Sequence, residues 1–293
     1  MKYNLEFLRF FAVILVTFTH TRNNFTGGWE MLVFEDFPKI GTLVLSVISG
    51  YLYSEVTYDR KNLFRDKLKK LYLPYLFANS IVIVLVLLAS ALGYNFLNRY
   101  SIDYKLFTEG LFAFTVPPVN PPTYFIRDLF ITFILIDLFK NKNYKVLFVV
   151  IPLLIFGKLF IRVDIMLLFA VGVVISKYAA FIKKNYLYLI FLLAISSIIA
   201  FIKTPIDVYK YPLAFLFFMI MLQVKIKFYN VGAFTYLLHL YHSPIIVFTA
   251  FFLKIDNPVL YVIVQILAAI SGAFLLYTIT RYVKPLKILT GGK

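Results

Sequence analysis

Residues 258–282 form the apolar run PVLYVIVQILAAISGAFLLYTITRY, in which Arg281 is the only charged residue. A helix that crosses a bilayer needs about 17–25 mostly apolar residues, and this run is long enough. The whole chain has the same character: 61% of its 293 residues are hydrophobic, 15% are charged, and mean hydropathy is +0.85. A soluble domain is nearer about half apolar and about a quarter charged. The chain is therefore predicted to be an all-α, polytopic integral membrane protein.

Short polar stretches divide the chain into a series of such apolar runs, which we interpret as about ten transmembrane helices. The predicted spans are about 5–21, 37–54, 72–93, 123–139, 146–161, 163–177, 185–202, 210–224, 231–252 and 258–282. A shorter apolar piece, 106–116, is predicted to be interfacial or re-entrant. The first run lacks a small-residue cleavage site, so we expect it to be retained. These runs predict a single membrane domain over 1–293, with no appended soluble domain.

The charge distribution predicts the orientation. The chain carries 30 Lys and Arg against 14 Asp and Glu, a net charge of +16. Every loop on one side of the predicted bundle is basic, including 60–70, 140–145 and 177–184, and basic loops are typically cytoplasmic. Both termini are therefore expected in the cytoplasm. This accounts for the charge by topology and attraction to anionic lipids, so nucleic-acid binding is not expected. The absence of cysteine excludes disulfides, thiolate metal sites and a cysteine nucleophile.

The first apolar run carries the most informative polar residues. Arg9 and His20 are eleven residues apart, which on a continuous helix places them on one face, about 16 Å apart along the axis. Glu6 lies one turn before Arg9 and can pair with it. This arrangement suits a long ligand that is anionic at one end and reactive at the other. The alternative is that Arg9 snorkels to the cytoplasmic interface and His20 marks the outer end of the span.

Three other stretches add polar groups within apolar runs, where a charge normally faces the protein interior or a watery cavity, and the cytoplasmic loop before the third run adds a basic stretch. They are Ser49-Gly50-Tyr51-Leu52, the basic stretch Lys67-Leu68-Lys69-Lys70 before Pro74, Arg127-Asp128, and His239-Leu240-Tyr241-His242-Ser243-Pro244.

In this order, these stretches resemble membrane acyltransferase family 3, whose members O-acylate extracytoplasmic glycans. Arg9 and His20 match the family's opening pattern of Arg, ten residues and His, and His242 falls on its late-helix His motif. Lys67 and Lys70 stand where the family favours Arg, and Glu6 where Asp is more usual. The resemblance covers about residues 1–283. It implies an acyltransferase that moves an acyl group, with acetyl expected, from cytoplasmic acyl-CoA (acetyl-CoA expected) to a glycan or lipid-linked saccharide.

The residue types suggest how such a reaction could proceed. A neutral imidazole can take the proton of a sugar hydroxyl, so His20 is the candidate general base. Asp128 could hold the His20 ring in the useful tautomer, and Arg127 could bind the acceptor or the developing oxyanion. The alternative for Arg127 and Asp128 is an ion pair that fixes packing. His242 is a candidate supporting residue, or a hydrogen-bonded residue before the Pro244 kink.

The remaining candidates concern substrate binding. Arg65, Lys67 and Lys70 are predicted to form an anion-binding surface for the phosphates of acyl-CoA, or alternatively a positive-inside anchor. Glu6 and Ser49 are expected to support the acceptor site. No metal is expected, because no carboxylate lies at ligand spacing with the three histidines.

Two other functional classes stay open at this point. A transporter or flippase of lipid-linked or acylated saccharide would also need polar residues in its bundle, although such proteins more often show internal repeats. A purely structural membrane subunit would not need Arg9 and His20 on one face. In each case we expect a multi-pass protein of the inner (plasma) membrane of a bacterium, and a homo-oligomer is compatible with all three.

Overall fold

A computed structural model describes residues 2–23, 25–94, 99–203 and 207–292. All the secondary structure in these ranges is helical, which confirms the predicted all-α class. The α-helices are α1 (Lys2–Phe18), α2 (Gly28–Met31), α3 (Ile40–Leu52), α4 (Leu63–Lys67), α5 (Leu73–Ala91), α6 (Tyr104–Phe112), α7 (Tyr124–Asn141), α8 (Leu147–Phe156), α9 (Val163–Lys177), α10 (Ala179–Lys203), α11 (Lys210–Gln223), α12 (Gly232–Phe252) and α13 (Pro258–Tyr282).

Tighter and wider helical turns extend several of these helices. The π-helical turns are Leu32–Asp36, Tyr53–Thr57 and Leu68–Tyr72, and the 3₁₀ turns are Phe37–Lys39, Pro121–Thr123, Tyr144–Val146, Asp207–Tyr209 and Lys284–Thr290. The π-helical turn at Leu68–Tyr72 joins α4 to α5, so that Leu63–Ala91 is one long helical rod.

Each of the predicted spans coincides with a helix, although the ends differ. Within the described ranges, four helices are long and apolar enough to cross a membrane: Leu63–Ala91, Ala179–Lys203, Gly232–Phe252 and Pro258–Tyr282. These helices are consistent with a multi-pass membrane protein. The count of ten spans and the cytoplasmic termini stay predictions.

Several helix ends depart from the sequence-based boundaries, and α1 ends at Phe18 rather than near 21. Helix α8 stops at Phe156 rather than near 161, because the backbone after it pairs with charged side chains of α7. Helix α10 begins before the predicted 185, with a kink at Asn185, whose φ and ψ are −113° and 18°. The piece predicted at 106–116 is the short helix α6, which ends at Ala113 in the left-handed conformation.

The chain divides into two compact units, each assembled from three separate segments. Unit 1 comprises Met1–Asp59, Asp164–Thr235 and Ala250–Leu267, and unit 2 comprises Arg60–Val163, Tyr236–Thr249 and Ala268–Lys293. The prediction of a single domain over 1–293 stays a prediction.

In unit 1, glycines allow helix α3 to approach its neighbours closely. A Cβ built on Gly50 would lie 1.8 Å from the backbone oxygen of Phe169 on α9, and one built on Gly172 would lie 2.1 Å from that of Val47. A Cβ on Gly41 would lie 2.5 Å from the backbone oxygen of Ala12 on α1. Because real Cβ atoms do not come this close to another backbone, the packing of α3 requires glycine at these positions.

In unit 2, the core lies where α7 packs against α8. The buried side chains of this cluster are Phe130, Ile131, Ile134, Val146, Val150 and Leu153. Tyr72, in the π-helical turn before α5, stacks on Phe130 with ring centroids 4.6 Å apart. Aromatic pairs of this kind add about 0.5–1.5 kcal/mol beyond area burial. This core holds the start of α7, which carries Arg127 and Asp128, against the rest of the unit.

Replacing Gly50 or Gly172 by Ala should lower the stability of the purified protein. The added methyl must push the α3 and α9 backbones apart, and overpacking of this kind costs about 1–3 kcal/mol. The expected result is a lower midpoint of thermal unfolding in detergent. Gly110→Ala is the matched control, because its Cβ would meet Ile83 Cδ1 at an ordinary 3.4 Å. Equal midpoints for all three variants would contradict the close approach of α3 and α9.

Candidate functional site

The first turns of α1 hold a partly buried ion pair. Arg9 Nη1 donates to Glu6 Oε1 at 2.9 Å, and the two side chains are 24% and 23% exposed. The start of α12 lies against this pair, since a Cβ built on Gly232 would be 3.4 Å from Glu6 Oε2 and 3.7 Å from Arg9 Nη1. Glycine at 232 therefore leaves room beside both charged groups. The structure thus brings together Glu6 and Arg9, as predicted from their spacing.

Asn4 anchors the same end of α1. Its Nδ2 donates to the carbonyl oxygens of Met221, at 3.2 Å, and of Val224. Its Oδ1 accepts from the N–H of Ile226 at 3.1 Å. The segment after α11 is not helical, so its backbone groups need partners, and the buried Asn4 amide supplies them. The ion pair of Glu6 and Arg9 consequently lies on a part of α1 that is fixed at its start.

His20 lies at the other end of the same segment, two residues beyond the last residue of α1. The turn after Phe18 is tight: the N–H of His20 donates to Thr17 O at 3.2 Å and that of Thr21 to Phe18 O at 3.1 Å. The imidazole is partly buried. The one-face estimate for Arg9 and His20 assumed a continuous helix, but α1 ends at Phe18 and His20 lies in the tight turn that follows. A tight turn advances by more than the α-helical 100° per residue, so the estimate does not apply to His20.

Ser49 lies on α3 next to Gly50 and is half-buried. Its Oγ donates to Leu45 O at 2.7 Å, within the same helix. The adjacent Gly50 is the residue against which Phe169 packs. The Ser-Gly stretch thus has a packing role in unit 1, and the predicted supporting role of Ser49 at the acceptor stays a prediction.

The basic stretch at the start of the Leu63–Ala91 rod is partly neutralised by Asp66. This carboxylate pairs with Lys70 Nζ at 2.5 Å and with Arg60 Nη1 at 3.1 Å, both on exposed side chains. Lys67 Nζ lies 4.0 Å from the centroid of the Phe133 ring, and Arg65 is exposed. Cations on one short segment can meet the phosphates of a ligand. The structure places Arg65 and Lys70, which are exposed, and Lys67, which is half-buried, on such a segment.

Arg127 and Asp128 form a fully buried pair at the start of α7. Their side chains are 1% and 0% exposed, and Arg127 Nη1 lies 2.6 Å from Asp128 Oδ1. Arg127 also donates to the backbone oxygens of Lys158, at 2.8 Å, and Leu159, at 2.9 Å. Asp128 accepts from the N–H groups of Ile161, at 3.2 Å, and Arg162, at 2.7 Å.

These contacts tie the loop between α8 and α9 to α7. The same loop meets the end of α6, where the N–H of Lys158 donates to Phe114 O at 2.5 Å. The packing alternative for Arg127 and Asp128 therefore accounts for the contacts that the structure shows. The predicted pairing of Asp128 with His20 stays a prediction.

His242 lies in α12 beside an interruption of the helical hydrogen bonding. Its Nδ1 donates to Leu238 O at 2.8 Å, which requires the tautomer protonated on Nδ1. Pro244 has no N–H, so the carbonyl of Leu240, one turn earlier, loses its helical partner. Asn120 Nδ2 donates to this carbonyl at 2.7 Å. His242 thus lies in a buried turn of α12, in which Asn120 supplies the hydrogen bond that Pro244 cannot donate.

The sequence reasoning missed three anchoring amides: Asn4, Asn120 and Gln265. Gln265, in α13, is buried and pairs with the backbone of Arg22. What these three residues share in the sequence is that each is a single amide within or beside an apolar run. Among the described residues there is no group of three or more His, Cys, Asp and Glu residues that could hold a metal ion.

Comparison with known proteins identifies the class to which this fold and these residues belong. Residues 2–278, nearly the whole chain, match the acyltransferase-3 family, described as an acyltransferase domain. The chain belongs to this family.

A more particular similarity is to the succinoglycan biosynthesis protein ExoH of Rhizobium meliloti (strain 1021). The two are 28% identical over 148 residues, which cover 45% of this chain and 40% of ExoH. The matched part thus spans less than half of that relative. No solved structure matches the chain.

Replacing Arg127 by Ala should destabilise unit 2 strongly. The change leaves the Asp128 carboxylate buried without its cation, and breaking a buried pair in this way costs about 3–5 kcal/mol. The loop after α8 should become sensitive to protease, and the thermal midpoint in detergent should fall. Lys158→Ala is the control, because Lys158 contributes only its backbone oxygen and N–H to these contacts. Equal proteolysis of the two variants would show that the pair does not hold the loop.

Proposed function

We propose that this protein transfers an acyl group, with acetyl as the favoured group, from cytoplasmic acyl-CoA to a hydroxyl of a glycan or lipid-linked saccharide. The proposal rests on the polar groups of the α1 segment, in a chain that belongs to the acyltransferase-3 family. The segment has an ion pair, Glu6 and Arg9, at one end and a partly buried imidazole, His20, at the other.

His20 acts as the general base. A sugar hydroxyl is a poor nucleophile at neutral pH, and a positioned imidazole raises the rate by about 10²–10⁴-fold by accepting its proton. The hydroxyl oxygen attacks the thioester carbonyl, a C–O bond forms, and the C–S bond breaks when the tetrahedral intermediate collapses. The proton taken by His20 then goes to the departing CoA thiolate, which restores the neutral imidazole.

The donor is bound through its charged groups. Arg65, Lys67 and Lys70 meet the phosphates of CoA at the start of the Leu63–Ala91 rod. The side chain of Lys67 is held over Phe133 and that of Lys70 by Asp66, so both are partly ordered before the donor arrives. Ordering in advance lowers the entropy lost on binding. Arg9 contributes a further anion contact, with Glu6 limiting its motion.

The acceptor is a cell-surface polysaccharide or its lipid-linked precursor. The name of the relative from Rhizobium meliloti refers to succinoglycan, a polysaccharide, and this supports a saccharide acceptor. The protein then acts in the inner membrane of a bacterial cell, on saccharide outside the cytoplasm. Ser49 and His242 support the acceptor indirectly, through the packing of α3 and α12. The partners proposed are therefore the saccharide acceptor and the lipid bilayer.

His20→Ala should abolish acyl transfer while insertion and folding stay intact, because no second base is evident on the α1 segment. Arg9→Ala should instead weaken donor binding, which raises the KM for acyl-CoA. The measurement is transfer of labelled acetyl from acetyl-CoA to host glycan by purified protein in lipid vesicles. Thr21→Ala is the control for His20, since it removes a hydrogen bond of the same turn, to Phe18 O at 2.9 Å, and keeps the imidazole.

Two outcomes would contradict this function. Wild-type transfer by a correctly inserted His20→Ala protein would exclude His20 as the base. Movement of lipid-linked saccharide across the vesicle membrane without acylation, in the wild-type protein, would indicate a flippase.

Changing Lys67 and Lys70 together to Ala should raise the KM for acyl-CoA more than it lowers kcat, because charge neutralisation mainly favours the bound ground state. Two contacts at the protein surface, each worth about 0.2–1 kcal/mol, predict an increase of about 2- to 30-fold. The control is Lys183→Ala with Lys184→Ala, which removes the same charge from another exposed segment. If both double variants have the wild-type KM, the basic stretch is a membrane anchor.

A further inference from the structure

Gln265 is a fully buried amide on helix α13, one of the four helices apolar enough to cross a membrane. Its side chain meets the backbone of Arg22 at two points. The N–H of Arg22 donates to Gln265 Oε1 at 2.7 Å, and Gln265 Nε2 donates to the carbonyl of Arg22 at 2.8 Å. Nε2 also lies 3.2 Å from Tyr261 O, one turn earlier on α13. Both ends of the amide are therefore engaged.

The paired residue, Arg22, lies four residues beyond the end of α1. After Thr21 the backbone leaves the hydrogen bonds of the tight turn that ends this segment. Within a membrane protein, the N–H and C=O groups that follow must find partners inside the protein. A side-chain amide that both donates to and accepts from one residue fixes the orientation of its backbone as well as its position. His20 is two residues before Arg22, and the N–H of His20 donates to Thr17 O at 3.2 Å.

We propose that Gln265 positions the imidazole of His20, by fixing the backbone of Arg22 between α1 and the rest of unit 1. This inference rests on the proposed role of His20 as the base. Gln265 is a positioning residue, because it acts through the turn and has no contact with the reacting atoms. A general base is effective only when it lies within hydrogen-bond reach of the hydroxyl it deprotonates. A displacement of about 1 Å can cost about 10²-fold in rate.

The test replaces Gln265 by Met, which has nearly the same shape and no hydrogen-bonding amide. If Gln265 positions the base, kcat falls about 10²-fold, while the KM for acyl-CoA stays within about twofold of the wild type. Thr280→Val is the matched control: Thr280 is also a buried polar residue of α13, and its hydroxyl donates to Tyr277 O of the same helix. Its kinetics should be those of the wild type. Should the Met variant not fold, Gln265→Asn keeps the amide but is too short to reach both groups of Arg22, and the same kcat effect is expected.

A second measurement does not need activity. The chain has no cysteine, so His20→Cys carries a single thiol that accepts a nitroxide spin label. Electron paramagnetic resonance should show a more mobile label at position 20 when Gln265→Met is added, and an unchanged label when Thr280→Val is added. Size-exclusion chromatography verifies that each protein is folded.

The two measurements separate the possible failures. An unchanged label in the Gln265→Met background overturns the positioning role, whatever the enzyme does. A more mobile label together with wild-type kcat in Gln265→Met supports the fixing of the turn, and it contradicts His20 as the base. A kcat loss equalled by Thr280→Val would assign the effect to general damage to α13 and overturn the proposal.

Discussion

Polar side chains carried on apolar helices must find partners within the protein, and this constraint organises both units. Several of the amides and charges buried in the described part of the chain bind to backbone that is not helical. Asn4 binds the segment after α11, Gln265 the backbone of Arg22, and Arg127 with Asp128 the loop before α9. Each break between helices exposes N–H and C=O groups that lipid cannot satisfy. The side chains take the place that water has in a soluble protein.

The same constraint applies inside a helix where proline interrupts it. Pro244 leaves the carbonyl of Leu240 without a helical donor, and the amide of Asn120 provides one at 2.7 Å. Asn120 is itself held, because its N–H donates to Asn79 Oδ1 at 3.1 Å. The helical turn that carries His242 is therefore held by two asparagines that are distant from it in sequence. Asn120, which belongs to none of the sequence motifs, thus helps to position His242, which does.

Hydropathy and charge were enough to place the helices, because a long apolar run in this composition has few alternatives to a helix. The ends were less predictable. Helix α8 stops at Phe156 because Arg127 and Asp128, some thirty residues earlier, bind the backbone that follows. No local sequence pattern predicts that pairing. The Glu6 and Arg9 pair was predictable from its spacing of three. Gln265 and Asn4 were not, since a lone amide in an apolar run does not say which segment it will bind.

The three π-helical turns, Leu32–Asp36, Tyr53–Thr57 and Leu68–Tyr72, bear on how related sequences should be aligned. A π turn closes its hydrogen bond over one more residue than an α turn, so it absorbs a single inserted residue without ending the helix. Two of them lie next to motif residues, one after Ser49-Gly50 and one within the basic stretch. Motif spacings counted across these turns can therefore differ by one residue between relatives while the helical rod continues. A one-residue gap in an alignment at one of these turns therefore shifts the helix register. The helices on either side of the turn stay intact.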